Sequence, residues 1–115
     1  MVIYEVNLAV APDAAEAYAA WLGPHIQEVL ACDGFLSAEW FAVEPDADDA
    51  GTDRPIRWCV QYRLRDRAAL DAYFAGPAAR LRADGVARFG GRFTASRRVL
   101  SLAQAPDQKE RGTAD

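Results

Sequence analysis

The 115-residue chain has one histidine, one lysine, one methionine and two cysteines, and each scarcity removes a class of function. Cys32 and Cys59 have no Cys or His neighbour in metal-ligand spacing. Neither a zinc site nor a disulfide framework is expected, and both read as reduced, buried thiols. No apolar run approaches the ~18 to 20 residues of a membrane span, and Met1-Val2-Ile3-Tyr4-Glu5 lacks the basic start of a secretory signal. The expectation is a soluble, cytoplasmic domain of bacterial type with no membrane partner. Gly90-Gly91 lacks the spacing of a phosphate-cradling loop. Asp46, Asp48 and Asp49 lack the spacing and terminal Glu of an EF-hand, so no metal is expected there.

The most informative absence is positional. Residues 1–53 contain eleven Asp or Glu and no Lys or Arg, whereas residues 54–98 carry eleven Arg against only Asp66, Asp71 and Asp84. The net charge is -4, and no aromatic-basic RNA-binding motif accompanies the arginines, which argues against nucleic acid. A composition 51% hydrophobic and 10% aromatic is that of a folded chain, and the length suits one domain.

Hydrophobic periodicity supplies the elements. Residues 2–10 alternate, with Val2, Tyr4, Val6, Leu8 and Val10 on one face and Ile3, Glu5, Asn7 and Ala9 on the other, which predicts a strand. Ala15, Tyr18, Leu22, Ile26 and Val29 recur at helical spacing, predicting a helix to about Ala31 that kinks at Gly23-Pro24. A second strand is predicted over 35–44, followed by a solvated loop from Pro45 to Pro55. The third, over 56–65, sets Ile56, Trp58, Val60, Tyr62 and Leu64 against Arg57, Cys59, Gln61, Arg63 and Arg65. Asp66 reads as the N-cap of a second helix that breaks at Gly76-Pro77, resumes to Phe89 and stops at Gly90-Gly91. A fourth strand over 92–102 puts Phe93, Ala95, Arg97 and Val99 opposite Thr94, Ser96, Arg98 and Leu100. Residues 103–115 read as a polar, flexible tail.

The order β-α-β-β-α-β predicts an α+β, ferredoxin-like domain over 1–102 with a four-stranded antiparallel sheet in the order 4-1-3-2. That order sets acid-bearing strands beside arginine-bearing ones, so the charge split is expected to neutralise itself within the sheet and across a dimer. Helices cover one sheet face only. The other, expected to carry Ile3, Ala9, Cys59, Phe35 and Phe41, invites a second copy of the chain.

Several stretches carry a family resemblance: residues 1–8, Trp21-Leu22 with His25, Gly34-Phe35-Leu36-Ser37-Ala38, Val60-Gln61-Tyr62-Arg63-Leu64-Arg65, Arg88-Phe89-Gly90, Arg92-Phe93, and Ala95 to Leu100. They resemble a bacterial family of small domains of unknown function in the dimeric α+β barrel superfamily, which also holds antibiotic-biosynthesis and haem-degrading monooxygenases. The resemblance implies a homodimer closed through the open sheet faces. In the haem-degrading branch a first-strand Asn, a sheet Trp and a second-helix His form the site. Asn7 matches in kind and Trp58 or Trp40 could supply the indole, but no His follows position 25, and Pro77-Ala78-Ala79-Arg80 stands where relatives read His-Ala-Pro-Arg. No cofactor is therefore expected.

Two functional readings compete. In one, the dimer binds a small metabolite in a sheet-lined cavity, or only dimerises, with Asn7, Gln61, Arg63, Ser37, Glu39 and Arg98 (or Arg97) facing inward. In the other it is a cofactor-independent monooxygenase or isomerase-like enzyme acting on an aromatic or enolisable substrate. Arg63 then holds an oxyanion, and His25 or Glu5 accepts a proton. Competing structural roles are a Glu5–Arg63 pair that neutralises itself and a His25 bonded at the core edge.

Overall fold

The computed structural model describes residues 1–46 and 54–106. Strands β1 (Val2–Val10), β2 (Phe35–Ala42), β3 (Ile56–Leu64) and β4 (Phe93–Ser101) form one antiparallel sheet in the order β2-β3-β1-β4, the expected order read from the opposite edge. Helices α1 (Ala15–Leu30), α2 (Arg67–Ala75) and α3 (Pro77–Phe89) cover one face, and short 3-10 turns at Pro12–Ala14 and Gly90–Arg92 link them to the strands. The fold is ferredoxin-like. Of the loop expected between Pro45 and Pro55, residues 47–53, with Asp48 and Asp49, lie outside the described residues; so do residues 107–115 of the expected tail.

The alternation in β1 and β3 holds along most of both strands: Val2, Tyr4, Leu8, Val10, Val60, Tyr62 and Leu64 are buried beneath the helices, Val6 and Trp58 are half-buried, and Ile56 at the start of β3 is exposed. Tyr18, Leu22, Ile26 and Val29 meet them from α1, and Leu70, Tyr73, Ala78 and Leu81 from α2 and α3. Removing the side chain of a residue as enclosed as Leu64 or Leu70 costs ~2–5 kcal/mol. Asp66 caps α2 as expected, Oδ1 accepting from Ala69 N at 2.9 Å. Gly90 ends α3 with φ +51°, in the region only glycine enters freely.

As expected, the second predicted helix breaks at Gly76-Pro77, where Gly76 has φ -125° and ψ -94°, and resumes as α3, while α1 carries Pro24 inside one helix. The structure departs from expectation in three places. Strands β2, β3 and β4 end one or two residues inside their predicted bounds. Phe35 belongs to the helix face: it pairs with Leu64 and meets the rings of Tyr62 and Tyr73 at 5.7 and 5.1 Å. The cause is an irregularity between Phe35 and Ser37, where one extra residue in β2 reverses the alternation. Both cysteines are free but only half-buried, not enclosed.

A cavity between sheet and helices

The open sheet face holds most of the expected site residues, and it pairs them with each other. Glu5, central on β1 and 3% exposed, faces Gln61 on β3 and Arg98 on β4. Its Oε2 accepts from Asn7 Nδ2 at 2.9 Å and from Arg98 Nε, and its Oε1 from Gln61 Nε2 at 2.9 Å. These donors hold the Glu5 carboxyl down at about 2 despite its burial, with the Arg98 bond the largest cause. Arg63 bonds Glu39 on the neighbouring strand, beside Ser37. The expected Glu5–Arg63 pair is therefore replaced by Glu5–Arg98 and Arg63–Glu39, because the register sets Arg63 opposite Ile3 and Arg98 opposite Glu5. A shallow hollow of about 290 Å³ lies at one end of this face over Asn7, Ala9, Arg57 and Ser96.

His25 lies on the other side of the sheet. There Tyr4, Tyr18, Tyr62, Tyr73 and Trp21 wall a cavity of about 40 Å³, whose polar lining also includes Arg82 of α3 and Arg97 of β4. Sequence left Arg97 and Arg98 as alternatives for the open face; pairing with Val6 turns Arg97 to the helix side. Two polar side-chain atoms among the described residues are buried without a hydrogen-bond partner, His25 Nδ1 and Arg82 Nε. Both belong to cavity-lining residues. An orphaned buried polar atom calls for an explanation, since such groups are nearly always bonded in native proteins.

The cavity's neighbours fix these side chains. Arg82 Nη2 donates to Tyr4 Oη at 2.9 Å, and the guanidinium lies 5.6 Å from the Phe74 ring centroid. Trp21 Nε1 donates to Asp84 Oδ2 at 2.9 Å. Helix α3 can approach Trp21 because residue 85 is glycine: a Cβ there would fall 2.9 Å from Trp21 Cη2. Burial lowers the His25 pKa, only partly opposed by Glu28 and Asp84, so the imidazole is neutral at pH 7. Burial also raises the phenols of Tyr18 and Tyr73 to about 12, leaving them protonated. It raises both thiols, Cys59 further through Glu5, which removes them as nucleophiles near neutrality. The structure thus separates His25 from Glu5 and Arg63 by the thickness of the sheet.

Sequence reading did not single out Arg82 or Gly85, and it held Arg97 only as an alternative for the open face. The available signal was the inner stripe of α3, where Ala78, Leu81 and Gly85 are buried and Arg82 follows Leu81. An arginine at helical spacing from core positions marks a charge drawn to the edge of the core.

The topology is that of a domain with the fold of the antibiotic-biosynthesis monooxygenases. A candidate antibiotic biosynthesis monooxygenase from Deinococcus radiodurans superposes with a TM-score of 0.69 at 16% identity, covering 96% of this chain and 100% of that one. A cofactor-independent oxygenase from Streptomyces nogalater gives 0.56 at 15% identity over 93% and 98% of the two chains. A haem-degrading protein of Mycobacterium tuberculosis, solved with two haems in its active site, gives 0.58 at 16% over 91% and 98%. More specifically, the chain belongs to the family described as a domain of unknown function, DUF4286, which it matches over residues 1–103. A search of curated proteins returns no match.

The donors present do not fit haem iron. Helices α2 and α3 carry no His, Cys or Met, the Tyr73 phenol is held protonated, and His25 lies flat against Trp21 on α1. Among the described residues no cluster of three or more His, Cys, Asp or Glu is placed to hold a metal, and no helix is long and apolar enough to cross a membrane.

Proposed function

We propose that this protein is a homodimer that binds a small aromatic or enolisable metabolite between its sheet and helices. The observation that carries the reading is the pair of orphaned atoms, His25 Nδ1 and Arg82 Nε, buried beside an aromatic-walled cavity. Aromatic walls with a few converging polar groups are the general character of small-molecule sites. The open face supports dimerisation: its central charges Glu5, Arg98, Glu39 and Arg63 are already paired, while Ile3, Leu100, Cys59 and the 45%-exposed Phe41 leave apolar area to cover. Native mass spectrometry of protein purified from its own host tests both parts. A dimer carrying a stoichiometric metabolite is the expected result, and a bare monomer at micromolar concentration overturns the reading.

One observation favours catalysis beyond binding. His25 is neutral at pH 7 with a ring nitrogen lacking a partner, which suits a base for an acidic phenol or enol proton. The resulting anion is electron-rich enough to react with dioxygen as co-substrate, the type of activity named for the Streptomyces nogalater oxygenase. Substrate-dependent oxygen uptake that disappears in His25→Ala is the expected signature. Equal uptake by His25→Ala assigns the base elsewhere.

A further inference from the structure

Resting on the cavity reading above, we infer that the cavity selects a planar monoanion, an aromatic carboxylate, and that Arg82 is the residue that selects it. The first support is how arginine is used across the molecule. Arg98 pairs with Glu5, Arg63 with Glu39, Arg92 with Asp13, Arg65 with Asp33 and Asp66, Arg67 with Asp71, and Arg88 with Asp84. Arg57, Arg80, Arg82 and Arg97 have no ion pair of this kind among the described residues, and of these only Arg82 and Arg97 line the cavity; Arg57 and Arg80 are exposed to water. Arg82 is half-buried, and its hydrogen-bond partner is a neutral phenol. A guanidinium so placed carries a charge without a counter-charge, and its buried Nε–H has left water without gaining a protein partner, which is costly.

The second support is what surrounds that charge. No carboxylate lines the cavity among the described residues. His25 is neutral, and the Tyr18 and Tyr73 phenols stay protonated, so the lining supplies no negative group. The third is geometry: Nε has no partner, and a guanidinium edge with an open Nε–H presents the two-donor fork that matches a carboxylate. A planar ligand suits the walls, since Tyr4 and Tyr62 are stacked at 5.8 Å and Tyr4 meets Tyr73 at a tilt. The present volume of about 40 Å³ is far below the ~150 Å³ of a cavity that admits benzene, so entry displaces side chains and brings the buried Nε into contact.

Titration calorimetry of the full chain at pH 7 with benzoate and its neutral isostere benzamide, repeated with 1-naphthoate and 1-naphthamide, tests this. The acid of at least one pair is expected to bind ten-fold or more tightly than its amide, against the chain's own net charge of -4. Arg82→Gln is expected to abolish the preference while keeping amide binding. Tyr4→Phe, which frees Nη2 and leaves the charge, should bind the acid at least as tightly as wild type. Should Arg82→Gln fail to fold by near-ultraviolet circular dichroism, the wild-type and Tyr4→Phe comparisons decide. Equal affinity for acid and amide, or a preference surviving in folded Arg82→Gln, overturns the inference and leaves the cavity reading standing. Binding of none of the four probes overturns the cavity reading and the inference with it.

Discussion

Trp21 and His25 lie face to face one helical turn apart on α1, with ring centroids 4.4 Å apart and ring planes 23° from parallel. The indole is in turn tied to Asp84 of α3 and abuts Gly85. The orientation of the single imidazole therefore depends on how closely α3 packs on α1.

Gly85→Ala should disturb that contact. The added methyl falls 2.9 Å from Trp21 Cη2, and the indole is held by both Asp84 and His25. Overpacking costs ~1–3 kcal/mol, offset by ~1 kcal/mol of improved helix propensity, for a net loss of about 1 kcal/mol. Urea denaturation measures the loss and near-ultraviolet circular dichroism the indole shift; a variant more stable than wild type contradicts the packing described.

His25 should titrate below its ordinary value of 6.5. Burial acts to lower it, Arg97 acts in the same direction, and Glu28 and Asp84 oppose them; Arg82 also lines the same cavity. Because the folded pKa is depressed, the stabilising contribution is present above 6.5 and is lost as pH falls through the folded value. As the one histidine, His25 gives an unambiguous proton NMR titration. A midpoint above 6.5 refutes the assignment of a neutral imidazole.

Glu5→Gln should destabilise the fold at pH 7 by ~1–3 kcal/mol, because Gln61, Asn7 and Arg98 lose a charged acceptor. The sign with pH follows from the depressed carboxyl. Its contribution is complete above 4.5 and disappears as pH falls from 4.5 towards about 2. Wild type and variant should therefore converge in denaturation series taken from pH 7 down to pH 2. A gap that stays constant across that range rules out the ionised Glu5 as its source.

Phe41→Asp should turn the proposed dimer into a monomer while leaving the circular dichroism spectrum unchanged. Phe41 pairs with Cys59 on the open face and is 45% exposed in the single chain. Light scattering after size-exclusion chromatography reads the mass. A dimer that persists in the variant places the interface elsewhere.

The charge split in the sequence found a spatial counterpart. Acids from the first 53 residues meet arginines from 54–98 in the pairs Glu5–Arg98, Glu39–Arg63, Asp13–Arg92 and Asp33–Arg65. The sheet order alternates strands that donate acid and base, which sequence order alone conceals.

By itself the sequence determined the elements, the buried faces of β1 and β3, the Asp66 cap, the Gly90 stop and, through them, the ferredoxin-like order. Those features are local: a period of two, a period of 3.6 and a backbone angle are all readable in a few neighbouring residues. Tertiary structure decided what depends on distant neighbours. A single irregularity between Phe35 and Ser37 moved Phe35 beneath the helices, and strand register gave Glu5 to Arg98 and set Arg97 on the helix side. Only the packing of α3 across the sheet brought Arg82 to Tyr4, residues 78 positions apart, and so moved the candidate site from the sheet's open face to the cavity on its other side.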